Sequence, residues 1–186
     1  MAGKIKGFVL LSRRTFVLEK LGAAALAQIV ASLPAADQAL LKGPLVVSGW
    51  YPADAGVRFD DAIIRVAGGS AAEHFKELGR RSAHDNLAAF QANFLNGRTP
   101  QKFLSMAPSL YRLYYERGSR EYQETSATSG VLITRDAENV TAGDCLTVIG
   151  WYEEALGMLG ARQVVVSHPV CRATGGTVCR YEVTWT

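Results

Sequence analysis

The chain has no run of the roughly 18 apolar residues that a membrane span requires, and no long block of basic residues. A net charge of +3 is spread along 186 residues, which argues against nucleic acid as a partner and against a polybasic membrane anchor. There are only three cysteines, an odd number at uneven spacing. That excludes a secreted disulfide framework and points to a reducing, cytoplasmic setting. Internal repeats, low-complexity tracts and linkers are missing, as expected of a single domain over residues 1–186. Also missing are a GxGxxG fingerprint, a P-loop and a nucleophile with an adjacent base, so an enzyme ranks last among the function classes. One targeting pattern needs weighing. Ser12-Arg13-Arg14-Thr15-Phe16 matches a twin-arginine export signal, but Val17, Leu21, Ala25, Ile29 and Leu33 recur every fourth residue, as on a helix facing a core. Export stays the minor alternative.

Residues 1–118 read as mainly helical. Pro34 suits a first helical turn, apolar residues at 59, 62, 63 and 66 share one face, and Ser70 with Glu73 forms a capping-box pattern. Gly49-Trp50-Tyr51-Pro52 reads as a loop carrying two aromatics, and Pro108 should bend a helix running from Thr99 to Arg117. Residues 119–186 read as hairpin, helix, hairpin. Strands are expected over Glu121 to Thr128, Val131 to Thr134, Val164 to Val166 and Tyr181 to Trp185, with a helix from Cys145 to Leu159. The expected fold is α+β, a helical layer packed on a four-stranded antiparallel sheet.

The chemistry-bearing residues gather late in the chain. Cys171 and Cys179 flank Thr174-Gly175-Gly176, His168 lies three residues before Cys171, and Cys145 opens the preceding helix. Three cysteines and one histidine form a closed four-coordinate ligand set, as in structural zinc sites. Two other readings of the same residues stay open: buried reduced thiols packing as small hydrophobes, and a Cys171–Cys179 disulfide. Elsewhere His84 beside Asp85 has no nucleophile with it and reads as a solvated helix face.

The segment AGDCLTVIGWYEEALGMLGARQVVVSHPVCRATGGTVCRYEV resembles the closing section of 4-vinyl-reductase-like domains, including the aromatic-sensing input domains of NtrC-type activators. The resemblance covers about forty residues, and GWYP and LGRRSA also resemble a paralogous family abundant in myxobacteria. It implies structural zinc held by Cys145, Cys171 and Cys179, with His168 standing where those sensors place an acidic ligand. It further implies a non-enzymatic sensor of an aromatic or acyl-like small molecule that signals through a separate protein, as a homodimer. Phe90, Phe94, Tyr122 and Trp151 are the candidate lining, with His84 as a polar group. The resemblance also implies a distant relation to trafficking-complex subunits that enclose an acyl chain and to haem-nitric-oxide sensors, but the Tyr-x-Ser-x-Arg signature of the latter is missing, so no haem is expected. The alternative function is a ligand-free protein-interaction module of the same fold, with Trp50 and Tyr51 at its surface.

Overall fold

The computed structural model describes residues 3–89, 91–137 and 141–186. Strand β1 (Lys4–Lys6) leads directly into α1 (Gly7–Lys20) and α2 (Gly22–Ala31). The expected single apolar stripe is thus carried by two helices, broken where Gly22 adopts φ 86°. α3 (Ala35–Lys42) follows, and Trp50–Pro52 forms β2, which pairs antiparallel with β1. Three of the four residues of the expected loop are therefore strand. Its preceding turn docks on the start of α1, where Gly7 N and Phe8 N donate to the carbonyls of Gly49 and Val47, satisfying donors that an uncapped helix end leaves open.

α4 (Ala53–Ala67) ends at Gly68, and α5 (Ala71–Ala88) begins with the Ser70 hydroxyl accepting from Glu73 N. α5 runs without interruption through Gly79, although glycine weakens a helix interior. After α6 (Pro100–Leu104) and α7 (Ala107–Tyr114), which divide the expected long helix just before Pro108, the chain enters the sheet. Strands β3 (Ser119–Ser126), β4 (Ser129–Arg135), β5 (Val165–Val170) and β6 (Cys179–Thr184) lie in the order β3-β4-β6-β5, all antiparallel. The α+β architecture with a four-stranded antiparallel sheet is as expected. Helix α8 (Ala142–Met158) links the two hairpins and opens on a full capping box in which Thr141 and Asp144 satisfy each other's backbone N–H groups.

One apolar cluster runs from Ile5 to Trp185 and includes Phe59, Phe103, Leu132, Leu156 and Tyr181. Among the described residues no helix is long and apolar enough to cross a membrane. Arg13, from the twin-arginine pattern, is buried in α1. The helical layer is held to α8 by a backbone-to-backbone contact. A Cβ on Gly79 would sit 2.0 Å from Thr147 O, and one on Gly150 would sit 2.0 Å from Lys76 O. Only glycine lets α5 and α8 approach this closely.

A Gly150→Ala change must push the two helices apart or strain both, and it is expected to lower stability by about 2–3 kcal/mol in urea unfolding, at the upper end of ordinary overpacking. Gly157→Ala, on the same helix with open space around its Cβ position, should be neutral or stabilising through helix propensity.

Candidate functional site: a divided chamber beside a sulfur cluster

Two partly open cavities, of about 40 and 70 Å³, lie between the helices and the sheet. They share the walls Val9, Arg13, Tyr111, Tyr115, Arg120 and Val148, so they form one chamber divided by side chains. Two buried arginines face it. Arg13, 7 % exposed, is closed by Asp60: Nε lies 3.0 Å from Oδ1 and Nη2 3.3 Å from Oδ2. Burial pushes the Asp60 carboxyl up, and the adjacent guanidinium pulls against that push.

Arg120 is different. It is 8 % exposed and its hydrogen bonds go to neutral groups, Nε to Thr134 Oγ1 at 2.9 Å and Nη1 to Tyr152 Oη at 3.4 Å. Its Cζ sits 5.1, 5.6 and 5.8 Å from the ring centroids of Tyr111, Tyr152 and Tyr181, distances that suit cation–π attraction. No carboxylate among the described residues forms a salt bridge with it. The sequence reading missed this residue because it began the strand at Glu121. Extending the strand to Ser119 would have placed residues 120 and 122 on one face by alternation.

Next to the chamber, Cys145, His168, Cys171 and Cys179 bring their ligand atoms to within 4.8 Å of one another. Cys145 Sγ is 3.6 Å from Cys171 Sγ and 3.8 Å from Cys179 Sγ. These separations are far too long for a disulfide, and they match the ~3.8 Å edge of a tetrahedron built on metal–sulfur bonds of ~2.3 Å. His168 Nε2 is buried with no hydrogen-bond partner, a costly state for an imidazole nitrogen unless something accepts its lone pair. Local structure explains how each group arrives. Cys145 sits in the first turn of α8, which carries its sulfur towards the last hairpin. The pairing of β5 with β6 shifts register between Ser167 and Val170, a bulge that accommodates Pro169 and re-aims His168. Cys179 opens β6, its sulfur accepting from Arg172 N. Within the thiol pair, hydrogen bonding between the two sulfurs favours proton loss from Cys179 and holds the proton on Cys145.

Cluster and chamber touch. Cys145 and Cys179 line the larger cavity, and Cys179, Thr134 and Arg120 occupy one row across β6, β4 and β3. The Tyr181 ring stacks on His168 at 4.2 Å, inclined by 9°.

Among the described residues expected to line a ligand pocket, Trp151 is the one that lines this chamber. His84 is exposed on α5, with Nδ1 3.3 Å from Glu154 Oε1. Phe94 packs partly buried after α5, and Tyr122 is taken up by Gln101 on the outer hairpin. Phe90 lies outside the described residues. His84, Phe94 and Tyr122 stand outside the chamber walls, because side chains on an element of unknown rotation do not disclose which of them face a cavity. Trp50 and Tyr51 are likewise not both free: Tyr51 Oη accepts from Val46 N, whereas Trp50 is exposed beneath Lys6.

No family model matches the chain, and neither does any curated protein. Solved structures do. A mutant H-NOX protein from S. oneidensis in the Fe(II) ligation state superposes with TM-score 0.78 at 14 % identity, covering 97 % of this chain and 96 % of that one. An unliganded Fe(II) H-NOX protein from K. algicida gives 0.74 at 10 % identity, with the same coverage. An oxygen-binding H-NOX domain related to soluble guanylate cyclases gives 0.72 at 10 %, covering 97 % and 95 %. The chain has the H-NOX fold. Two expectations are corrected by this. The matched structures are H-NOX proteins, not 4-vinyl-reductase-like domains; the resemblance rested on a local spacing of cysteines, and such spacing does not by itself define a whole fold. The expectation of zinc with no haem also falls, because studies of this fold address haem distortion and haem redox potential. A missing sequence signature did not exclude a haem-protein fold.

The residues present nevertheless do not fit a histidine-ligated haem. No histidine lines either cavity: His74 reaches the Gly68 carbonyl, His84 is on the surface and His168 is in the sulfur cluster. Breaking the chamber's closed ion pair should be expensive. Asp60→Asn strands a buried guanidinium and is expected to cost about 3–5 kcal/mol in chemical denaturation, whereas Arg13→Met combined with Asp60→Leu should recover most of that loss.

Proposed function

We propose that this chain is a small-molecule sensor domain whose ligand occupies the divided chamber and whose signal passes to a separate protein. The observation that carries this reading is Arg120, a buried cation facing two adjoining cavities with only neutral partners. Buried charge without a counter-ion is rare in a purely structural core. The H-NOX likeness supports the reading, since solved members are described in NO- and oxygen-bound forms. The chamber's size argues against the aromatic or acyl-like ligand expected from sequence. Pockets for drug-sized ligands hold roughly 300–1,000 Å³, well above the cavities of about 40 and 70 Å³ found here.

A second part of the proposal concerns Cys145, His168, Cys171 and Cys179. They hold a transition-metal ion with four protein ligands, fastening the last hairpin to the start of α8. Such a closed set leaves no position for a reacting water. The centre acts by holding the chamber wall in shape, because two of its ligands are part of that wall.

Thermal-shift measurements with a panel of small carboxylates, nitrate, phenols, fatty acids and haemin test the first part. At least one compound should stabilise the wild-type chain and lose its effect in Val148→Phe, which fills the shared wall. A melting temperature that ignores the whole panel would instead favour a ligand-free interaction module. Elemental analysis tests the second part. Close to one equivalent of a first-row metal per chain is expected, falling sharply in Cys171→Ser, and chelation should lower the melting temperature. Three freely titrating thiols in metal-free purified protein would refute it.

A further inference from the structure

We infer that the chamber's occupant is a compact planar anion, an oxyanion or short carboxylate of the size of nitrate, formate or acetate, held by the Arg120 guanidinium. The inference rests on the chamber being the ligand site and specifies what that site takes.

Three observations lead there. The first is charge. A guanidinium offers five N–H groups and cannot shed its proton in a protein. Thr134 Oγ1 and Tyr152 Oη take one each from Nε and Nη1, leaving Nη2 without a hydrogen-bond partner among the described residues. The rings of Tyr111, Tyr152 and Tyr181 crowd the group, with centroids 5.1, 5.6 and 5.8 Å from Cζ, and the unpaired Nη2 marks the edge left for an added partner. The second is the state of the nearby acids. Asp60 is bound by Arg13, and Asp144 Oδ2 is taken by the backbone and hydroxyl of Thr141. Neither forms a salt bridge with Arg120. The third is volume. A site of about 70 Å³ has room for on the order of five waters, which suits an ion of three or four heavy atoms. It excludes a large ligand in this conformation.

Geometry narrows the chemistry further. The open edge of a guanidinium matches two oxygens in one plane, as in nitrate or a carboxylate, and pairs with them through parallel hydrogen bonds. A spherical halide uses that edge poorly, and tetrahedral sulfate is bulkier. Tyr115 reinforces the selection: its phenol lines both cavities, and burial pushes its pKa up, so it remains a neutral donor rather than a competing anion.

Equilibrium dialysis of ¹⁴C-formate against the wild-type chain, Arg120→Met and Val148→Phe tests this, with sodium gluconate holding ionic strength constant. The expected result is saturable binding of one formate per chain, displaced by nitrate and acetate but not by sulfate, and lost in both variants. At ten times its dissociation constant, formate should raise the wild-type melting temperature by about 3–6 °C for a chain of this size. Arg120→Met is expected to fold and, without anion, to melt no lower than wild type, since it removes an uncompensated buried charge. Should Arg120→Met not fold, the Val148→Phe comparison and the competition series still decide. Formate binding that is unchanged in Arg120→Met, or displaced equally by sulfate, overturns the inference. So does the absence of formate binding at tens of millimolar; if another panel compound still stabilises the wild-type chain, the ligand-sensing reading survives that result. If nothing stabilises it, both fail.

Discussion

The close approach of α5 and α8 is the constraint on which the rest depends. With Gly79 against Thr147 O and Gly150 against Lys76 O, the two helices meet at their backbones. That contact sets the height of α8 above the sheet. α8 in turn contributes Thr147, Val148, Trp151 and Tyr152 to the chamber and Cys145 to the sulfur cluster. A larger side chain at either glycine would move all of these groups together. Chamber and cluster are therefore properties of one helix–helix contact as much as of the residues lining them.

The chamber also carries an unusual electrostatic arrangement. One buried arginine is neutralised within the fold and the other is not, although both face the same space. Arg13 and Asp60 join α1 to α4 and account for themselves as structure. Arg120 is held by three tyrosines and a threonine, which orient a charge without cancelling it. Holding a cation in this way is costly unless something arrives to meet it. The sulfur cluster lies in the same row of the sheet as Arg120, and Tyr181 touches both through its stack on His168 and its ring near the guanidinium. A change at either place has a short path to the other.

Much of the fold was legible from periodicity and turn residues. The helix ended by Gly68, the Ser70 cap, the hairpin about Ser129-Gly130 and the final hairpin all follow from local chemistry acting over a few residues. The pairing of β1 with β2 was not legible, because three-residue strands carry too little alternation to stand out. The continuity of α5 through Gly79 was also hidden: glycine weakens a helix locally, and only the packing of α8 explains why one is needed there. The clustering of Cys145, His168, Cys171 and Cys179 could be read because thiols and imidazole have few other reasons to recur at that spacing.

The sequence by itself determined the α+β class, the order of the sheet-forming hairpins and the four side chains of the cluster, since each depends on contacts between residues close in the chain or on the chemistry of rare residue types. The relation to the haem-nitric-oxide-sensor fold group was also expected from the sequence; tertiary structure alone decided the place of the chamber and the residues facing it. Arg120 acquires its meaning from Tyr111, Tyr152 and Tyr181, which approach from two helices and another strand. No local pattern records that an arginine on a polar strand will be buried among them without a counter-ion, because burial and compensation are set by what distant segments bring.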